Sequence, residues 1–93
     1  MARTAFRAQV SFGSGYTVPN GKIAVFAAFR DDSTLDGAKV IIAGTTVARL
    51  AGASSSSVYP NSAKPLTANG GEVVSCGGGS GNSFGIAGFL HDA

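Results

Sequence analysis

His91 is the single histidine in the chain, and catalysis by a serine nucleophile would depend on it. Such a histidine needs a serine beside it and an acidic residue that orients its ring. His91 precedes Asp92 close to the end of the sequence, where chains usually fray. No G-x-S-x-G segment supplies an activated serine. The sequence therefore predicts no serine hydrolase site.

Metal ligands are also sparse. Asp31, Asp32 and Asp36 are close enough in sequence to suggest calcium, because hard cations take oxygen ligands. They lack the D-x-D-x-D-G spacing and the distant glutamate of a calcium loop. Cys76 is the single cysteine, so no C-x-x-C pair exists and no intrachain disulfide can form. We expect a solvated acidic loop and no bound metal.

The glycine run from Gly77 to Gly81 would suit a phosphate cradle only with a G-K-[ST] ending and a following helix. It has neither, and a strand pattern follows it. Ser54–Ser57 has the composition of a loop, and Glu72 has no second carboxylate nearby for acid–base catalysis. We expect a protein that is not an enzyme and needs no cofactor.

The composition favours a subunit of an assembly. Charged residues make up 13% of the chain, about half of the usual share. Leu, Ile, Val and Phe together supply only 22 of 93 residues, which gives one small domain over 1–93 a modest core. Small domains without disulfides or metals usually depend on oligomerisation. We expect a chain that stays packed against others, as a homo-oligomer.

The few charges are unevenly distributed. Residues 1–30 hold four basic groups and no acid, whereas residues 31–93 hold three basic and five acidic groups, for a net charge of +2. This excludes the strong basic footprint of a nucleic-acid-binding protein. Arg3 and Arg7 are candidate interface residues for an acidic partner; the alternative is a chance imbalance. The longest apolar run, 23–29, is too short for a membrane span.

Two segments near the start of the sequence have strong strand patterns. Residues 4–12 alternate with period two, which places Phe6, Val10 and Phe12 on one face of a first strand or arm. Residues 22–30 are apolar on both faces, as in a strand buried on both sides. We expect one of those faces to lie outside the protomer core. Phe26, on its second face, is the third candidate interface residue.

The rest of the chain continues the all-β pattern. A turn is predicted at Pro19-Asn20-Gly21, a hairpin at Gly44-Thr45, another turn at 68–71 and an edge segment at 58–66, where two prolines interrupt pairing. In the last segment, 83–91, Phe84, Ile86 and Leu90 share one face. The sequence predicts a small antiparallel, jelly-roll-like β-sandwich of six to eight short strands; a small barrel is the alternative. Further short strands are predicted at 39–43, 46–50 and 72–76.

Four segments carry a family resemblance. They are similar to the t-V-P-a-G-K, n-G-x-x-v, P-L-x-l-n-a-G-D-x-i-s and i-s-G-f segments of small jelly-roll modules in the virions of tailed bacteriophages. The likeness extends over residues 16–91, most of the chain. The matching segments are Tyr16–Lys22, Gly44–Val47, Pro65–Ser75 and Gly85–Phe89.

The resemblance implies a non-enzymatic virion protein, often trimeric, made in the host cytoplasm. We expect a capsid decoration (cement) protein that binds the outer shell, with the major capsid protein or other virion proteins as partners and no direct contact with nucleic acid or membrane. The alternative is a small tail, collar or fibre component used in attachment. A cupin-like or lectin-like protein shares the fold plan, but the cupin metal histidines are absent.

Overall fold

The structure is a computed structural model that describes residues 3–29, 38–50 and 65–93. Within these ranges the chain forms eight β-strands, which agrees with the six to eight predicted. The strands are β1 (Arg3–Ser11), β2 (Tyr16–Thr17), β3 (Lys22–Phe29), β4 (Ala38–Ile42), β5 (Thr45–Leu50), β6 (Leu66–Asn69), β7 (Val73–Gly77) and β8 (Ser83–Asp92).

The strands form an antiparallel sandwich of two four-stranded sheets. The first sheet has the order β1-β8-β3-β6 and the second has the order β2-β7-β4-β5. Strand β4 pairs with β5, β3 with β6, β2 with β7 and β1 with β8. This nested pairing is that of one long hairpin folded over itself, which is the jelly-roll arrangement. The predicted fold class is confirmed.

Turn residues explain where the described strands end. Gly21 has a φ of 81°, and the Lys22 amide donates to the Pro19 carbonyl at 3.2 Å, so the predicted turn before β3 is confirmed. The β4–β5 hairpin turns at Ala43-Gly44, one residue earlier than predicted. Both residues have positive φ, 52° and 84°, as a two-residue hairpin of this twist requires. A β-branched Thr45 is poorly suited to that conformation.

The core lies between the sheets and contains the alternate side chains of the central strands. Phe84 and Ile86 of β8 are fully buried there, as are Val40 and Val74 of the second sheet. The face of β8 that the sequence grouped as Phe84, Ile86 and Leu90 is therefore the inner one. The buried apolar side chains are Val10, Val18, Ala24, Phe26, Ala28, Ala38, Val40, Ile42, Leu50, Ala68, Val74, Cys76, Phe84 and Ile86.

The orientation of β3 corrects one interface prediction. Phe26 is only 2% exposed and lies in the core, where its ring meets that of Phe6 edge-on at 6.3 Å. Its cross-strand neighbour in β8 is Gly88, where a Cβ atom would overlap the Val25 carbonyl oxygen. Because Gly88 has no side chain, Phe26 fits beside β8 at this position. The face assigned to a partner is therefore the inner one, and Phe26 cannot contact another chain while the sandwich is intact.

Two further details differ from the sequence-based expectation. Strand β1 ends at Ser11, so Phe12 lies in the following turn and is 48% exposed, not buried on the strand face. Its amide donates to the Asn82 carbonyl at 2.8 Å, outside the sheet ladder. Residues 66–69, partly predicted as a turn, form the edge strand β6 paired with Ile23–Phe26. The Glu72 carboxylate then accepts the Asn69 amide at 2.7 Å.

Phe26 and Phe12 provide a matched pair for testing the core. Phe26→Ala should lower the free energy of unfolding by about 3–5 kcal/mol, because it opens a cavity between the sheets. Phe12→Ala should change it by less than about 1 kcal/mol, as for an exposed side chain. Urea unfolding followed by circular dichroism measures both. Equal losses for the two variants would show that the assigned inner face is wrong.

Tyr16 covers one edge of the core. Its ring stacks on Phe6 with centroids 5.3 Å apart and planes 15° apart, joining β2 to the edge strand β1. Burial raises the pKa of the Tyr16 phenol above its ordinary value of 10.0, because the charged form is poorly solvated there.

The raised pKa makes stability depend on pH. The unfolded chain loses the Tyr16 proton first, so this contribution is complete below the ordinary pKa and declines as the pH rises above it. Unfolding free energies measured from pH 8 to pH 11 should therefore fall more steeply in the wild type than in Tyr16→Phe. Parallel curves for the two proteins would contradict the burial of the phenol.

Candidate functional site

The first sheet turns one set of side chains toward the second sheet and the alternate set away from it. We call this second set the outer face. Cross-strand pairing arranges it in rows, among them Ala5–Phe89–Val25 and Arg7–Ala87–Ala27. Its described members are Arg3, Ala5, Arg7 and Gln9 of β1, Gly85, Ala87, Phe89 and His91 of β8, Ile23, Val25, Ala27 and Phe29 of β3, and Thr67 and Asn69 of β6.

The middle of the outer face is apolar. Phe89 is 39% exposed; Val25, Phe29 and Ala87 are half-buried, and Ala27 is exposed. These five residues are the apolar centre. Single exposed apolar residues are ordinary on protein surfaces, whereas contiguous patches usually mark contacts. The expectation that one face of β3 lies outside the core is met, by the face opposite to Phe26.

A glycine shapes the apolar centre near the end of β3. Gly85 is the cross-strand neighbour of Phe29, and a Cβ atom at Gly85 would overlap the Phe29 ring. The ring therefore lies across the backbone of β8. This packing lowers the exposure of Phe29 and keeps this part of the outer face flat.

Arg3 lies at one corner of the apolar centre. Its guanidinium carbon is 4.3 Å from the centroid of the Phe89 ring, a cation–π contact. A guanidinium held over an aromatic ring keeps N–H groups that do not contact the ring, and these can bind a carboxylate. Arg7 is exposed and lies on the same side of β1. The structure thus places both predicted arginines beside the apolar centre.

No described residue of the outer face is acidic. Asp92, at the end of β8, forms an ion pair with Lys22, with its Oδ1 at 2.5 Å from Nζ. Glu72 lies in the turn after β6 and accepts the Asn69 amide. Among the described residues, the positive charge of Arg3 and Arg7 is therefore not balanced within the outer face.

The second sheet also exposes apolar side chains: Val47 is 42% and Val73 is 41% exposed. The cross-strand neighbour of Val73 in β2 is the polar Thr17. Ser75 and Thr46 flank Ile41 in the next row. Arg49 lies on the same surface, as the cross-strand neighbour of Lys39. Val73 and Arg49 are therefore an exposed apolar residue and an exposed arginine on the opposite sheet, outside the apolar centre.

The other residues considered for chemistry are dispersed. His91 has Arg3 and Ile23 as its cross-strand neighbours, and Cys76 is buried in the core. Across 3–29, 38–50 and 65–93 there is no group of three or more His, Cys, Asp or Glu residues that could hold a metal. The acidic segment 31–36 and the serines 54–57 lie outside the described residues. The absence of a metal and of an enzymatic activity stays a prediction.

The sequence did not identify the apolar centre as a surface. Two signals were usable: the apolar residues on both faces of β3, which predicted one face outside the core, and the period-two pattern of β8, which set Ala87 and Phe89 opposite to Phe84 and Ile86. The exposure of Phe12 and the stacking of Arg3 on Phe89 depend on three-dimensional proximity and had no such signal.

Comparison with protein-family models, with curated proteins and with solved structures finds no significant match. The fold therefore defines the class of this protein, a small all-β antiparallel sandwich of two four-stranded sheets. In the part of the chain that the structure describes, no helix is long and apolar enough to cross a membrane.

Proposed function

We propose that this chain is a non-enzymatic structural protein of a tailed-bacteriophage virion, a capsid decoration protein that binds the outer shell through its outer face. The observation that carries the proposal is the apolar centre with arginines along one side, in a chain with few charges. The sandwich fold and the similarity of the four sequence segments to virion modules support it. Fold alone does not determine function, so the proposal depends mainly on the outer face.

The size of the outer face supports attachment in several copies. Four strands at about 4.8 Å spacing and about 30 Å of strand length give a footprint of about 600 Å². A standard interface buries about 800 Å² on each partner, so one outer face makes a weak contact. Several faces held in one oligomer would bind a repeating shell much more tightly than one face alone. A trimer, which the resemblance to virion modules implies, would provide such an arrangement.

Light scattering across a dilution series tests the oligomer. A small protomer with this little large apolar side-chain content is marginally stable alone, so the purified protein should have the mass of a trimer and lose thermal stability on dilution. A monodisperse monomer with a high melting temperature at micromolar concentration would contradict the stability argument.

Attachment to the shell can be tested with particles that lack this protein. Purified protein should co-sediment with them, reach hundreds of copies per particle and raise the temperature at which the shell opens. Phe89→Ser should weaken co-sedimentation by about tenfold or more, since a buried apolar anchor contributes about 1.5–3 kcal/mol. Val73→Ser, on the opposite sheet, is the matched control and should bind as the wild type does. Binding that survives Phe89→Ser unchanged would exclude the outer face as the attachment surface.

One observation favours the second candidate, a tail, collar or fibre component used in attachment. Phe12 is 48% exposed in the β1–β2 turn, hydrogen-bonded to the β7–β8 turn through Asn82. An exposed aromatic residue on a loop is typical of a recognition tip. A dozen or so copies per particle, with attachment lost in Phe12→Ser and retained in Phe89→Ser, would support this function over decoration.

A further inference from the structure

We infer that the outer face docks onto a separate protein whose surface is acidic: a carboxylate of that protein binds Arg3 while Arg3 stays stacked on Phe89. The inference rests on the proposed function, which locates the partner in the virion. It adds the chemistry of the partner's surface. The surface involved is the row of Ala5, Phe89 and Val25, which lies between the rows that contain Arg3 and Arg7.

Arg3 is already positioned for a carboxylate. The contact with Phe89, 4.3 Å from guanidinium carbon to ring centroid, restricts an otherwise flexible side chain. An arginine with fewer free rotamers loses less entropy when it binds. Its in-plane N–H groups can donate two parallel hydrogen bonds to one carboxylate, a geometry that lysine cannot provide.

The spacing of the arginines defines the partner further. Arg3 and Arg7 lie four residues apart on the same side of β1, which corresponds to about 13 Å along an extended strand. Phe89 belongs to the row between them. The matching surface therefore has an apolar side chain for Phe89 and Val25, with carboxylates on both sides of it.

Charge complementarity favours a different protein over a second copy of the same face. A two-fold contact would bring Arg3 and Arg7 of both copies into one interface, and no described residue of the outer face supplies an acid to pair with them. Desolvating unpaired guanidinium groups is costly. An acidic partner surface removes that cost and adds charge-assisted hydrogen bonds.

Site-specific photo-crosslinking in the cells that produce this protein tests the inference. A benzoylphenylalanine introduced at Phe89 preserves an aromatic ring there, and one at Val73 serves as the control on the opposite sheet. The crosslinked peptide is identified by mass spectrometry. We expect an adduct at position 89 with another protein, in a segment containing Asp or Glu beside apolar residues, and none at position 73.

Arginine variants then test the charge argument on the same adduct. Arg3→Gln and Arg7→Gln should each reduce its yield about fivefold or more, and Arg3→Lys should also reduce it because the planar donor pair is lost. Arg49→Gln is the control and should leave the yield unchanged. Melting temperatures measured on each purified variant separate loss of binding from loss of folding.

The following outcomes would overturn the inference: no adduct at position 89, an equal adduct at position 73, an adduct with this same chain, a partner segment without carboxylates, or a yield that Arg3→Gln does not change. An acidic partner that is absent from virions would support the inference and exclude the proposed function. Attachment to the shell through a partner segment without acidic residues would overturn the inference and support the proposed function.

Discussion

The close approach of β3 and β8 at Gly88 is the constraint on which the rest of the structure depends. A Cβ atom at Gly88 would overlap the Val25 carbonyl, so only glycine allows these two central strands to pair here. The space left empty on the inner side is filled by Phe26 and, from β1, Phe6, whose rings meet edge-on. Tyr16 then stacks on Phe6 and closes the edge between the sheets.

The same pair of strands determines what the protein presents to its surroundings. With Phe26 inside, strand alternation turns Val25, Ala27 and Phe29 outward. Gly85 receives Phe29 on the outer side of β8 as Gly88 receives Phe26 on the inner side. One glycine therefore shapes the core and the other shapes the apolar centre, and both lie in the strand that pairs with β1 and its arginines.

Much of this fold follows from local sequence. Period two identifies β1 and β8 and divides each into two faces, and Pro19-Asn20-Gly21 gives the turn before β3. The sequence could not orient β3, because both of its faces are apolar and alternation does not distinguish them. The orientation depends on the pairing of β3 with β8, in which Gly88 lies beside Phe26 on the inner side and Gly85 beside Phe29 on the outer side. Both glycines are distant from β3 in sequence. For the candidate site, Arg3 and Arg7 were predicted, whereas their apolar neighbours required the sheet register.

Cysteine labelling of adjacent residues in β3 is the most direct test that one face of this strand is core and the other is a docking surface. Ala27→Cys lies on the outer face, and Ala28→Cys lies in the core; the native Cys76 is buried. A maleimide should label Ala27→Cys rapidly in the free protein and slowly in assembled particles, and should not label Ala28→Cys in the folded protein. Rapid labelling of Ala28→Cys, or equal labelling of Ala27→Cys before and after assembly, would contradict this assignment.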